Sequence, residues 1–377
     1  MQVINSIEDL RQIARRRVPR SIFQYVDHGS FDEITLRRNR ADLDALTFRQ
    51  RVLIDVARQH MATTVLGEPS NLPLALGPTG MAGLVHGDGE IHAARAAQEC
   101  GIPFCLSTVS ICSIEDVRAA TRRPFWFQLY VMKDRGYTGE LIDRAEAAGC
   151  SALMMTVDIP VSGLRRRDAK NGLSVPPRLT LRNALDIACK PRWALGVLRA
   201  RRRSFGNLTA AVQRSDGMGF GQWIASQFDA SVTWKDLELI RRRWKGKLIV
   251  KGIMDPADAR QVVALGADAL VVSNHGGRQL DGAASTISAL PQVVQAVGAD
   301  CEVLFDGGVR SGQDILKALA LGARAALTGR AFLYGLGALG APGVRLALDI
   351  LGRELQVTQA LTGCNDIREA GPHLLQR

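Results

Sequence analysis

The chain has 377 residues, 46% of them hydrophobic and 23% charged, with a mean hydropathy of +0.01. That balance excludes a disordered chain, a collagen and a disulfide-stapled mini-domain. Seven cysteines, an odd number scattered over a long chain, point to reduced thiols in a cytosolic setting. The first ten residues carry Glu8 and Asp9 and no long apolar run, so no secretory signal is expected. The uncharged stretch 331–344 is too short and too rich in Gly and Pro to span a bilayer.

Residues before 72 are expected to form an N-terminal helical cap. Eight short apolar runs then follow, at 72–77, 103–107, 125–131, 152–158, 248–252, 269–274, 302–306 and 325–328. Near-continuous apolar character suits parallel strands buried on both faces. Helical patterns alternate with them at 90–100, 113–120, 139–148, 234–244, 256–265, 286–297 and 311–321, and 346–361 reads as a closing helix. Asp255 before Pro256 is an N-cap followed by Pro at the first helical position. Gly149, Gly266 and Gly322 are expected helix stops. Eight alternations predict an α/β fold, a (β/α)8 TIM barrel, in one domain covering 1–377 with the barrel at about 72–340.

One connection is too long for a simple βα unit: an insertion after the fourth strand, from Asp158 to Leu248. Between Arg165 and Arg214 it holds thirteen basic residues against Asp168 and Asp186, which accounts for the whole formal charge of +11. A solvated insertion is one reading. Leu181, Ala184, Leu185 and Ala188 at helical spacing, and Trp193, Leu195, Val197 and Leu198 ahead of Arg199, Arg201, Arg202 and Arg203, favour an interfacial surface for anionic lipid at about 177–217. Nothing aromatic-rich or zinc-type accompanies the charge, so neither nucleic acid nor a metal site is expected.

In such barrels the chemistry sits at the C-terminal strand ends. Those ends carry Gly77-Pro-Thr-Gly-Met81, Ser107-Thr108, Gln128-Leu-Tyr130, Thr156-Val-Asp158, Lys251, Ser273-Asn-His-Gly-Gly-Arg278, Asp306-Gly-Gly-Val-Arg310 and Gly329-Arg330. Glycines followed by arginine on strands seven and eight suit a phosphate. His275 suits proton removal near neutral pH, with Asp158 able to orient it, and the Arg278 fork suits a carboxylate. Lys251, following Leu248-Ile249-Val250, is expected to be a buried cation facing an anion.

With Tyr25, Gly29, Asp32 and Glu33 and the run Phe127-Gln-Leu-Tyr130 in order, the nine residues Ser273 to Asp281 closely resemble the FMN-dependent L-2-hydroxy acid dehydrogenase and oxidase family. The resemblance runs from Tyr25 to Gly363. It implies FMN at the barrel mouth, held by Pro78, Thr79 and Gly80 and by Ser107, Gln128, Thr156 and Ser273. It also implies Lys251 at the flavin edge, Asp306 on the ribityl chain, and Gly307, Gly308, Val309, Arg310, Gly329 and Arg330 at the phosphate. Tyr25, Arg165 and Arg278 would hold the substrate carboxylate, with Tyr130 near the hydroxyl and His275 as base beside Asp158.

Val109 and Gly80 stand where plant oxidases carry tryptophan and alanine, and residues 161–165 resemble the mandelate enzyme as much as the lactate enzyme. Residues 106–112 and 231–237 look most like respiratory L-lactate dehydrogenase. The resemblance therefore implies oxidation of L-lactate with electrons passed to a membrane quinone. The alternatives are an (S)-mandelate-type dehydrogenase or an oxidase producing hydrogen peroxide. A homotetramer, peripheral on the cytoplasmic side of the inner membrane, is expected.

Overall fold

The computed structural model of the chain describes residues 3–172, 180–209 and 226–376. Three helices, Ile7–Arg17, Arg20–Asp27 and Ile34–Ala45, form the N-terminal cap. The first begins at a capping box between Ser6 and Asp9, and its buried face of Ile7, Leu10 and Ala14 packs on the helix Arg330–Leu339. A two-stranded antiparallel hairpin that the apolar pattern did not suggest follows, β1 (Thr63–Val65) and β2 (Glu68–Ser70). Its turn residues Leu66 and Gly67 both have positive φ, as a two-residue hairpin turn of this kind requires. Val65 and Leu66 enter the lower end of the barrel interior, and the Leu66 N–H donates to Glu302 Oε2 at 2.8 Å.

The eight expected strands are present: β3 (Leu74–Leu76), β4 (Cys105–Ser107), β5 (Trp126–Leu129), β6 (Ala152–Thr156), β7 (Lys247–Ile253), β8 (Ala269–Val272), β9 (Glu302–Asp306) and β10 (Ala325–Thr328). They pair in parallel in the order β3-β10-β9-β8-β7-β6-β5-β4, and a parallel bridge between Leu76 and Phe104 closes the ring. The fold is therefore a (β/α)8 barrel. The interior is packed: the Trp126 indole shares it with Ala75, Ala152, Ala269 and Ala325, whose small side chains leave it room. Residues on the opposite strand faces meet the helices in a second, larger core.

Asp255 caps Pro256–Ala264 as expected, and Gly149, Gly266 and Gly322 take positive φ at helix ends. Two boundaries differ from the sequence pattern. The helix after β5 starts at Arg135, because Asp134 caps it through Tyr137 N; Gly136 and Gly139 had masked the first turn. In place of one closing helix there are two, Arg330–Leu339 and Ala341–Thr362, broken at Gly340 with φ 69°. They cross at Gly335 and Gly343, where a Cβ on either would meet the other's backbone.

The excursion after β6 includes the short helix Arg166–Lys170 and the helices Leu181–Ala188 and Pro191–Leu198, and returns through Trp234–Arg243. The ends of the lipid-facing assignment, 177–179 and 210–217, lie outside the described residues. Leu181, Leu185, Leu195 and Leu198 are exposed, as an interfacial face requires, and exposed Arg182, Arg192 and Arg199 accompany them. Trp193 departs from that expectation: its Nε1 donates to Leu84 O at 2.8 Å, so the indole anchors the helix to the protein. Several basic residues of the segment also have internal partners. Arg202 pairs with Asp116, Arg166 with Asp32, and Lys190 donates to Arg16 O. Further anchors are the Arg20 N–H on Asp186 Oδ2 at 2.6 Å and buried Asn207, whose Oδ1 accepts from Ile114 N at 2.8 Å. Among the described residues no helix is long and apolar enough to cross a membrane.

Candidate active site

The C-terminal ends of β6 to β9 converge on one buried cation. Lys251, in register with Thr156, is 4% exposed, and its Nζ lies 2.9 Å from Ser273 Oγ, 3.3 Å from Asp306 Oδ2 and 4.0 Å from Asp158 Oδ2. Burial opposes the charge, but the Asp158 and Asp306 carboxylates outweigh it and hold the pKa above the ordinary lysine value. Asp158 reaches this position because β7 bulges after Lys251 at Gly252, where a Cβ would stand 2.7 Å from Asp158 Cβ.

His275 follows β8 with φ 58°, a left-handed backbone uncommon for a residue with a side chain. Its N–H donates to Ser273 Oγ at 3.1 Å, and its Nδ1 meets Asp158 Oδ1 at 2.9 Å. Burial, helped by the Lys251 charge and opposed by Asp158, holds the imidazole pKa below its usual value. His275 and Lys251 together keep Asp158 ionised despite its burial. The imidazole is thus neutral near pH 7, with Nδ1–H fixed on the carboxylate and Nε2 free to take a proton.

Gly276 and Gly277 continue the left-handed turn and deliver Arg278 across the mouth to the N-terminal cap. Its Nη1 donates to Tyr25 O at 2.5 Å and to His28 O at 2.9 Å, and its guanidinium lies 4.7 Å from the Tyr25 ring centroid. The Arg165 guanidinium lies 5.8 Å from the same ring, its Nε without a hydrogen-bond partner among the described residues. Burial and Arg165 push the Arg278 pKa down, as expected where two cations gather to receive an anion. Tyr130 stands beside them; burial, then Asp158 and Tyr25, raise its phenol pKa, so it remains a proton donor. The two arginines on Tyr25 and the Asp158 carboxylate that holds His275 all act on the Tyr130 phenol, which sets a cation pair and a base–carboxylate pair side by side.

The remaining strand ends suit a flavin mononucleotide. Gln128 Nε2, Thr156 Oγ1 and Thr328 Oγ1 are buried at the mouth without hydrogen-bond partners among the described residues, and a polar ring edge there would satisfy them. Ser107 Oγ fixes the amide by donating to Gln128 Oε1 at 3.0 Å. Gly307 and Gly308 have φ of 118° and 96°, and a Cβ on Gly307 would stand 2.5 Å from Thr286 Oγ1, so only glycine fits this cradle. Thr79 approaches the Gly329 Cβ position at 3.2 Å, and the Gly80 Cβ position is 2.8 Å from Val109 Cγ2 and 3.7 Å from the Tyr25 hydroxyl. Pro78 to Gly80 thus lie between the phosphate end and the carboxylate clamp. Burial, then Arg278 and Arg310, push Arg330 down to about 9, the signature of a cation cluster suited to a phosphate. The Arg330 side chain itself donates to Val26 O, Gly276 O and His28 O, and Val309 is buried in the core. Those bonds use three of the five guanidinium N–H groups, so Arg330 keeps two donors for a phosphate, while at buried Val309 the backbone is the group left.

Two supporting residues escaped the sequence reading. Gln279, inside the diagnostic motif, donates from Nε2 to Asp158 O and Val161 O at 3.0 Å each, and its Oε1 accepts from Gly163 N at 3.1 Å. It ties the loop carrying Arg165 to the loop carrying His275 and Arg278. Tyr334, with its ring 5.5 Å from the Arg310 guanidinium, donates to Asp27 Oδ1 at 2.7 Å and links the phosphate end to the cap. No spacing signal marks either one, because their partners lie far off in sequence.

Known proteins resemble this chain over nearly its whole length. The family model for FMN-dependent dehydrogenases matches residues 14–377. An L-lactate dehydrogenase of Caulobacter vibrioides (strain NA1000 / CB15N) is 48% identical over 376 residues, covering 99% of this chain and 98% of the relative. One from Pseudomonas syringae pv. syringae is 47% identical over 375 residues, with 99% and 98% coverage. The crystal structure of a monotopic membrane protein, (S)-mandelate dehydrogenase, superposes with a TM-score of 0.93 at 38% identity, covering 100% of both chains.

Proposed function

The chain belongs to the FMN-dependent dehydrogenase family and is an FMN-dependent 2-hydroxy acid oxidoreductase; from that premise we propose that it oxidises L-lactate to pyruvate and passes the electrons to a membrane quinone. The observation that carries the reading is the meeting of two pairs at Tyr130: the His275–Asp158 pair at 2.9 Å and the Arg278–Arg165 pair on Tyr25. Lactate is favoured over mandelate because the lactate enzymes share 48% of their residues with this chain and the mandelate enzyme 38%.

FMN, when bound, supplies the two-electron acceptor. Tyr25, Arg165 and Arg278 hold the substrate carboxylate, which fixes the hydroxyl-bearing carbon in the mouth. The protonated Tyr130 phenol orients the hydroxyl oxygen, and His275 Nε2 takes the hydroxyl proton. Asp158 sets the imidazole tautomer and stabilises the imidazolium that results. Lys251 adds a fixed positive charge beneath the mouth. Ser107, Gln128, Thr156 and Ser273 hold the flavin ring, Asp306 the ribityl chain, and residues 307–310 with Gly329 and Arg330 the phosphate. The decisive experiment is a steady-state panel of L-lactate, glycolate and (S)-mandelate, each with oxygen or a quinone analogue. A preference for mandelate, or for oxygen with hydrogen peroxide released, overturns the corresponding half of the proposal.

The exposed Leu181, Leu185, Leu195 and Leu198, with the arginines beside them, support peripheral docking on anionic lipid at the cytoplasmic face of the inner membrane. Near such a surface each Lys or Arg contributes about 1 kcal/mol. Replacing the exposed Leu181, Leu185, Leu195 and Leu198 by Ser, and Arg182, Arg192 and Arg199 by Gln, leaves the anchoring Trp193, Arg202 and Asn207 and buried Leu208 in place; it is expected to keep lactate oxidation with a soluble dye and to abolish sedimentation with anionic vesicles. Vesicle binding unaltered by the replacement or by high salt refutes docking through this segment. A homotetramer belongs to the same proposal, and sedimentation equilibrium checks it.

A further inference from the structure

We propose that Phe228, on the returning arm of the excursion, sets the length of the substrate side chain; the inference rests on the 2-hydroxy acid reading of the mouth and extends it to a wall that reading does not use. The carboxylate end of the pocket is taken by Arg165, Arg278 and Tyr25, and the hydroxyl end by His275 and Tyr130. What remains for the substituent on the hydroxyl-bearing carbon is an apolar wall beginning at Val109 and the Tyr130 ring. Behind it Leu208, 0% exposed, and Phe228 close a cavity of about 10 Å³, room for about one water. The Phe228 ring meets Tyr130 edge-on, with centroids 5.9 Å apart and planes at 67°.

Phe228 is held in place from both sides. Its backbone forms an antiparallel bridge with Met132, and the neighbouring Gln227 O accepts from Lys133 N at 3.0 Å. On the other side Asp229 pairs with Arg135 at 2.7 Å. With its backbone held at these points and its ring packed edge-on against Tyr130, Phe228 fills the space behind the wall, so a methyl substituent fits in front of it while a branched or aromatic one requires Phe228 to be smaller. Phe228 therefore acts on specificity, and through its edge contact it also steadies Tyr130.

The test uses the FMN-loaded full chain with Phe228→Ala and, as a milder change, Phe228→Leu. Turnover is measured on L-lactate and (S)-2-hydroxy-4-methylpentanoate with a dye acceptor. Calorimetry gives the affinities of the two product acids, pyruvate and 4-methyl-2-oxopentanoate. One methylene in an apolar pocket discriminates by about 10- to 200-fold, so Phe228→Ala is expected to raise the kcat/KM ratio of the longer acid to lactate by at least about tenfold. Phe228→Leu should fall between it and wild type, and the ratio of product affinities should move the same way. An equal fall for both acids, or a ratio unmoved in both variants while the flavin stays bound, overturns the assignment. Should Phe228→Ala lose its flavin, Phe228→Leu decides by the same criterion. A wild-type enzyme that oxidises no 2-hydroxy acid overturns the underlying reading as well, which separates the two failures.

Discussion

Asp158→Asn isolates the charge behind the catalytic base. The carboxylate is buried, accepts from His275 Nδ1 at 2.9 Å and faces Lys251 at 4.0 Å. An amide has the same shape, and its oxygen can accept the same bond, so the imidazole stays in place and Lys251 keeps Asp306 at 3.3 Å. What disappears is a negative charge about 4 Å from the imidazolium that forms when substrate is deprotonated. With an effective dielectric constant near 20, that attraction is worth about 4 kcal/mol. At about 1.4 kcal/mol per decade it corresponds to roughly a thousandfold in rate. The pH profile should move as well. Asp158 raises the His275 pKa against burial and Lys251, so losing it lowers that pKa further and shifts the acid limb of kcat/KM to lower pH. The assay is anaerobic mixing with L-lactate in a stopped-flow instrument, following loss of flavin visible absorbance from pH 5 to 9. A rate within tenfold of wild type with an unmoved acid limb refutes the pairing as the source of basicity.

Arg278→Lys should raise KM for L-lactate and slow turnover, because an ammonium cannot both donate to Tyr25 O and His28 O and offer a planar fork to a carboxylate; wild-type kinetics on every acid tested would place the clamp elsewhere. Gln279→Ala removes three part-buried hydrogen bonds, at about 1 kcal/mol net each, so thermal unfolding should report a loss of about 3 kcal/mol. With the Arg165 loop untied, KM should rise more than kcat falls, and an unchanged KM contradicts the latch. Gly307→Ala places a Cβ at 2.5 Å from Thr286 Oγ1 on a φ of 118°, so the purified protein should carry little flavin by its absorbance ratio. Full flavin content in that variant would remove residues 307–308 from the phosphate cradle.

How much of this protein could be read without its structure follows from the range of the physics involved. Strands buried on both faces are continuous apolar runs, and helix stops are glycines, so eight βα units and their order are local properties of the sequence. The turn Ser273 to Arg278 is equally local: it needs a Gly pair to bring His275 and Arg278 to one mouth. The hairpin β1–β2 was not legible, because three-residue strands show no period, and Leu66 at positive φ is tolerated only where it plugs the barrel floor. The break at Gly340 was hidden for a related reason: Gly335 and Gly343 look like ordinary loop glycines until two helices cross there. The sequence located the +11 segment but could not divide it. Arg202, Arg166 and Lys190 find partners on the barrel and cap, while Arg182, Arg192 and Arg199 stay outside beside exposed leucines. Gln279 and Phe228 owe their roles to partners that barrel closure alone brings near, Gln279 to loop atoms more than a hundred residues away and Phe228 to Tyr130 across the excursion. Periodicity and turn chemistry act between neighbours in the chain, whereas the choice of partner across the mouth is made only when the eighth strand meets the first.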